Sequence, residues 1–134
     1  MKRIWFMSFF ILILAVSPCM ASSWELVVTD DKTTPYEDRW SIDVDSIFWM
    51  RSGYVEAWVK GECIPPVLLP GDKKNTKMLF HYIGFTKTKQ MCIIKTDQRF
   101  ADGSAQSAMY ECKFVDIEPY SAGMYFWRFL FNSR

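Results

Sequence analysis

This chain lacks most of what usually marks chemistry. It has a single histidine, His81, so a histidine-based acid–base centre has one candidate. No CxxC or CxxCH occurs, which removes the usual zinc, dithiol-redox and haem-attachment patterns. The six glycines are scattered, with Gly61, Gly71, Gly84 and Gly103 far apart, so no glycine-rich loop is available to cradle phosphate. Charge of one sign is missing too: 16 basic residues face 15 acidic ones. Nothing resembles a nucleic-acid stripe or a polybasic membrane patch. There is no internal repeat and no low-complexity run.

What is there begins at the N-terminus. Lys2 and Arg3 precede an apolar run from Ile4 to Val16, broken only by Ser8, and then come Ser17, Pro18 and small residues. This is the order of a secretory signal peptide. The run is several residues short of the roughly 20 that a spanning helix needs. Cleavage after Ala21 places Cys19 and Ala21 at the two small-residue positions. A lipoprotein cut before Cys19 is disfavoured by Pro18, whose fixed φ and missing N–H suit an extended peptide substrate badly. The expectation is a signal at 1–21 and one mature domain at 22–134, exported to an oxidising compartment. No transmembrane span is expected in the mature chain.

The mature chain reads as mainly β. Trp24 to Thr29 is an opening strand, Asp30 to Asp38 a polar loop, and Arg39 to Val44 a second strand, connected by Asp45 to Gly53. Tyr54 to Lys60 alternates, with Val55, Ala57 and Val59 on one side and Tyr54, Glu56, Trp58 and Lys60 on the other. Pro65, Pro66, Pro70 and Gly71 mark Gly61 to Thr76 as a long loop. Met78 to Thr86 and Met91 to Phe100 are strands. Asp102-Gly103 supplies a hairpin turn, and Gln106 to Ile117 returns as the partner strand. Short connections imply an antiparallel meander. After Pro119, Ser121 can cap a helix in which Tyr120, Met124, Trp127 and Phe131 follow at helical spacing. A final aromatic strand is the rival reading of the tail.

Three cysteines remain after the cut: Cys63, Cys92 and Cys112. A three-residue loop centred on Asp102 would set Cys92 directly opposite Cys112, and in an oxidising compartment a disulfide is the default. Cys63 then stays buried outside that bond. By alternation all three sulfurs should look into the apolar side. A reactive thiol, or a metal site of three Cys with His81, is the weaker alternative, because the spacing has no paired-ligand pattern. His81 shares its parity with Leu79, Ile83 and Phe85, as a core or surface strand histidine would. Ser41, Ser46 and Ser121 have no nucleophile elbow around them. Asp43 and Asp45 could bind a cation, but such a pair more commonly closes a turn through side-chain hydrogen bonds. The expectation is no catalytic residue, no metal and no cofactor.

One run is more specific. Trp40-Ser41-Ile42-Asp43-Val44-Asp45-Ser46-Ile47 leads through Arg51-Ser52-Gly53 into Tyr54-Val55-Glu56-Ala57-Trp58-Val59-Lys60. It resembles the strand–turn–strand of the surface-adhesin protein E-like domain family of Gram-negative bacteria. There an Asp-x-x-Ser-Ile turn is followed by a Val-x-x-Trp-Val strand. Trp24 at the domain's opening, Cys92 before the Gly103 turn, and Ile117-Glu118-Pro119-Tyr120-Ser121 before the tail agree in order. The resemblance implies an α+β, mainly β fold: about six antiparallel strands with a C-terminal helix on the concave face. That favours helix over strand for the tail. It also implies an envelope protein, adhesin-like, with host matrix or serum proteins as partners and a homodimer among its forms. The chain departs in its long Gly61–Thr76 segment, in Phe114 where Trp is expected, and in lacking a helix cysteine, for which Cys112 is the substitute partner of Cys92.

These readings converge on an exported, non-enzymatic envelope or surface binding module. Tyr54, Trp58 and Lys60 form its candidate recognition patch. The alternative is a periplasmic small-molecule or lipid-binding module that uses the aromatic side under the helix as a pocket. No nucleic-acid partner is expected.

Overall fold

The computed structural model describes residues 23–30, 37–50 and 53–132. The signal segment, its Ala21 cut and Cys19 lie outside the described residues, as do Arg51 and Ser52. Among the described residues eight strands form one antiparallel sheet: β1 Trp24–Asp30, β2 Glu37–Asp43, β3 Phe48–Trp49, β4 Val55–Leu68, β5 Asn75–Phe85, β6 Gln90–Phe100, β7 Ala105–Met109 and β8 Val115–Asp116. The main path is β1-β2-β4-β5-β6-β7, so six strands run in chain order apart from β3. The helix α1, Ala122–Asn132, packs on one face. The expected class, a six-stranded antiparallel meander with a C-terminal helix, is the one observed.

β2 and β3 share one edge of β4, and what separates them is instructive. Ile42 pairs with Val59, but Phe48 pairs with Glu56, a register three residues longer. The 3-10 turn Val44–Ser46 takes up those three residues. Two side chains of the Asp-x-x-Ser motif close it. Asp43 Oδ1 accepts from the Asp45 N–H at 3.1 Å and the Ser23 N–H at 3.2 Å. Ser46 Oγ donates to the Asp43 carbonyl at 2.7 Å and accepts the Trp58 N–H at 2.8 Å. A serine hydroxyl thus replaces the ladder carbonyl that Trp58 loses where the strand edge is interrupted. Asp43 is structural, as the turn reading of the Asp43/Asp45 pair expects.

The Gly61–Thr76 segment is not one long loop. β4 continues through it to Leu68, keeping its alternation through Gly61 and Cys63. Prolines are tolerated because Pro65 and Pro66 fall in a bulge: Glu62 pairs with Met78, and pairing resumes only at Val67 with Thr76. The Ile64–Pro65 bond is cis. Similarly, β1 and β2 extend to Asp30 and back to Glu37, which shortens the expected loop.

The helix-side core comes from one parity of each strand. Val55, Ala57 and Val59 pair with Phe85, Ile83 and His81, and Ile42 joins them from β2. Met124, Phe126 and Leu130 of α1 close over this surface. Trp127 donates Nε1–H to the Thr86 carbonyl at 2.9 Å and stacks on Phe131, which meets Trp49 edge-on. Gly61 lets Trp40 cross the sheet: a Cβ there would lie 2.9 Å from the indole. The ring therefore reaches over β4 to stack on His81 and to meet Phe126 edge-on. Tyr120 departs from the expected helical stripe. It lies in the turn before α1, 97% exposed, because the helix begins only at Ala122. Ser121 spends its hydroxyl on the Glu118 carbonyl, while its own carbonyl accepts the Met124 N–H.

Candidate functional site

Tyr54, Trp58 and Lys60 lie on the other face of the sheet. Here no helix or strand among the described residues packs above the ladder. Trp58 pairs with Tyr82, their rings 5.2 Å apart, and Lys95 extends over the Trp58 ring at 5.8 Å. One register step along, Lys60 pairs with Phe80. Its ammonium sits 4.6 Å above the Trp24 ring and 3.6 Å from Glu62. Trp24 meets Phe80 edge-on at 5.8 Å, and the Arg99 guanidinium covers Phe80 at 5.0 Å. The result is two rows of aromatic rings interleaved with cations. Contacts of this kind each contribute about 0.5–1 kcal/mol at exposed sites.

Tyr54 begins a third row. Its hydroxyl donates to Glu56 Oε1 at 3.2 Å and its ring meets Phe114 edge-on. Gly84 provides the room, since any Cβ there would collide with the Tyr54 hydroxyl. Tyr82 hydrogen-bonds the same Glu56 carboxylate. Burial, then the Glu56 charge and hydrogen bond, push the Tyr54 phenol up to about 12. Burial and the same carboxylate do likewise for Tyr82, also to about 12. Both phenols are therefore neutral donors at any physiological pH.

The structure thus joins Tyr54, Trp58 and Lys60 through residues that sequence reasoning did not single out: Trp24, Glu56, Phe80, Tyr82, Lys95 and Arg99. A signal for two of them was present. Once His81 is placed with Leu79 and Ile83, Phe80 and Tyr82 must face the other way.

The disulfide joins Cys92 and Cys112, with Cα atoms 5.2 Å apart. The hairpin turn has its expected form, with Gly103 at φ 89° and Asp102 Oδ1 accepting from the Ser104 N–H. Hydrogen bonds from the Ser104 hydroxyl and N–H, with the Lys74 ammonium, pull the Asp102 carboxyl down to about 2. Lys95 pairs with Met109 and Arg99 with Ala105, the register that carries Cys92 to Cys112. The return strand is nevertheless broken. β7 ends at Met109, and β8 pairs Val115 with Met91 in a register two residues longer, so 110–114 arches off the sheet.

Two placements correct the sequence reading. The Thr86–Gln90 turn sets Met91 opposite Phe85, so Cys92 faces Gly84 and stands on the open face, away from α1. Cys112 is exposed in the arch, with Tyr110 and Phe114 exposed beside it. Only Cys63 lies on the helix side, buried and outside the disulfide.

A cavity of about 470 Å³ lies beside His81. Met91, Ile93 and Thr96 of β6 line it together with Cys92, and Tyr110, Lys113 and Val115 line it from the arch and β8. His81 Nδ1 is buried and has no hydrogen-bond partner among the described residues. Burial holds the His81 imidazole below its usual value near 6.5, so it is neutral at pH 7. Among the described residues no cluster of His, Cys, Asp and Glu is arranged to hold a metal. Ser41, Ser46 and Ser121 are not brought to His81: Ser41 pairs with Lys60, Ser46 serves its turn, and Ser121 precedes α1.

Comparison with family models, with curated proteins and with solved structures finds no match in any of the three.

Proposed function

We propose that this protein is an exported, non-enzymatic binding module of the bacterial envelope, adhesin-like in the manner of the surface-adhesin E-like family that its sequence resembles. One observation carries this reading. The uncovered face of the sheet, which is commonly polar and solvated in an antiparallel sheet, carries Trp24, Trp58, Phe80 and Tyr82 interleaved with Lys60, Lys95 and Arg99. Aromatic and cationic groups of this kind are enriched at protein interfaces. The occupant is a protein partner, with host matrix or serum proteins the class suggested by the resemblance. The disulfide agrees with an oxidising destination, and no helix among the described residues is long and apolar enough to cross a membrane.

Proteolytic shaving of intact cells tests the location. An adhesin is cut by external protease, whereas protection of the domain until the outer membrane is permeabilised rules out the surface role. Trp58→Ser tests the face. The reading expects loss of partner binding without loss of the fold. A collapse of Tm or of an oligomer assigns the patch to structure.

A further inference from the structure

The cavity beside His81 lies on the other side of the sheet from the Trp58–Tyr82 rows and is independent of the open-face reading. Its origin is topological. β7 stops at Met109, and its ladder on β6 ends where the Ile94 carbonyl takes the Tyr110 N–H; pairing resumes only where Val115 of β8 meets Met91. The two extra residues of 110–114 arch away, and the Cys92–Cys112 bond pins the arch to β6. Tyr110 and Lys113 of the arch thereby line, with Met91 and Ile93 of β6, a cleft that stays open to solvent on one side.

Its size, about 470 Å³, is that of a small-ligand pocket. The walls are a thioether, two branched aliphatic side chains and a phenol ring. Ile93, Val115 and Tyr110 are 37%, 58% and 54% exposed, so an apolar occupant would remove them from water. The polar groups on the side chains of the lining are those of His81, Thr96 and Lys113 with the Tyr110 hydroxyl, and no carboxylate is among them. Lys113 therefore offers a positive charge that no acid of the lining neutralises. His81 is neutral and so compatible with an apolar neighbour, and its Nδ1 lacks a partner.

We propose that this cavity binds an unesterified medium-chain carboxylate. The hydrocarbon tail lies against Met91, Ile93 and Val115, and the single negative charge is met by the Lys113 ammonium and the Thr96 hydroxyl. One ammonium beside a neutral imidazole suits one negative charge, which disfavours a phosphate monoester. The occupant is a small amphiphile taken up singly; membrane lipid and a second copy of the chain are competing outcomes.

Titration calorimetry of the purified mature protein with decanoate and with decanol tests this. Decanoate should bind saturably at one per chain, and decanol about tenfold more weakly. Lys113→Gln should weaken decanoate by about the same factor and leave decanol unchanged. Ile93→Trp should fill the space and abolish both. If that variant fails to fold, Val115→Trp, at a more exposed wall, makes the same test. Open-face Lys95→Gln should bind decanoate as the parent does. The proposal is overturned by absence of saturable decanoate binding, by Lys113→Gln binding decanoate normally, or by normal binding in the filled variants. It is equally overturned if phosphatidylglycerol vesicles bind and decanoate does not compete, or if the cavity is covered in a dimer that decanoate leaves intact.

Discussion

On β4, Val55, Ala57 and Val59 disappear beneath α1, while Glu56, Trp58 and Lys60, one position over, face outward with no element of the described chain above them. The covered face is satisfied by aliphatic packing against Phe126 and Leu130, so its contacts are non-directional and close-packed. The open face is satisfied by directed pairs: ring on ring, cation on ring, and two phenols on the Glu56 carboxylate. The difference shows how one alternating strand can divide its labour. The covered parity holds the fold. The open parity keeps large side chains ordered yet reachable, because they are held by each other and not by an overlying layer.

The largest effect should come from the covered face. Phe126 is almost fully buried, and Phe126→Ala should cost about 3–5 kcal/mol in chemical denaturation. A loss comparable to that of an exposed residue would show that the helix is not the main cover. Next comes the tether between the faces and the arch. Cys92→Ala with Cys112→Ala opens a loop of sequence separation 20 and should cost about 3 kcal/mol, read as a lower denaturant midpoint. An unchanged midpoint would mean that the arch is held by other contacts.

A smaller effect isolates His81. Its folded value lies below the usual 6.5, so the unfolded chain binds a proton that the native one resists. Stability should be fully present above about pH 6.5 and fall as pH drops through that value. His81→Phe should flatten the profile in that window while leaving stability at pH 7.5 equal or higher, because it removes the unpartnered Nδ1. A slope that survives the substitution assigns it to another group. The smallest effect belongs to the open face. Tyr54 and Tyr82 should ionise near 12 by ultraviolet titration, with native stability declining as pH rises beyond about 10. Glu56→Gln should move both toward 10. Two ordinary phenols in the parent protein would contradict the shared carboxylate.

Much of the fold was legible because its signals were local. The alternation of 54–60, the Asp102-Gly103 turn and the Cys92–Cys112 pairing each need only near neighbours in sequence. The tail helix was legible in type but not in extent, since Tyr120 continues the spacing without continuing the helix. What escaped is set between strands. Cross-strand register decides that Cys92 faces Gly84 and so leaves the apolar side, and no single-strand parity contains that information. The prolines of 65–66 read as a loop because a bulge that absorbs them is visible only against β5. The candidate site followed the same rule. Tyr54, Trp58 and Lys60 were visible on one strand, but their partners Trp24, Phe80, Tyr82, Lys95 and Arg99 arrive from three others.

The most direct test of the open face as a recognition surface is binding of the purified mature protein to immobilised host matrix and serum proteins, run beside its Lys60→Glu and Lys95→Glu variants. These two cations top the Trp24 and Trp58 rings and can be reversed without removing a ring from the rows. The account predicts saturable binding by the parent protein, loss of at least tenfold in both variants, and Tm values within a few degrees of the parent. Absence of binding to every member of the panel, or binding that ignores both charge reversals, would contradict it.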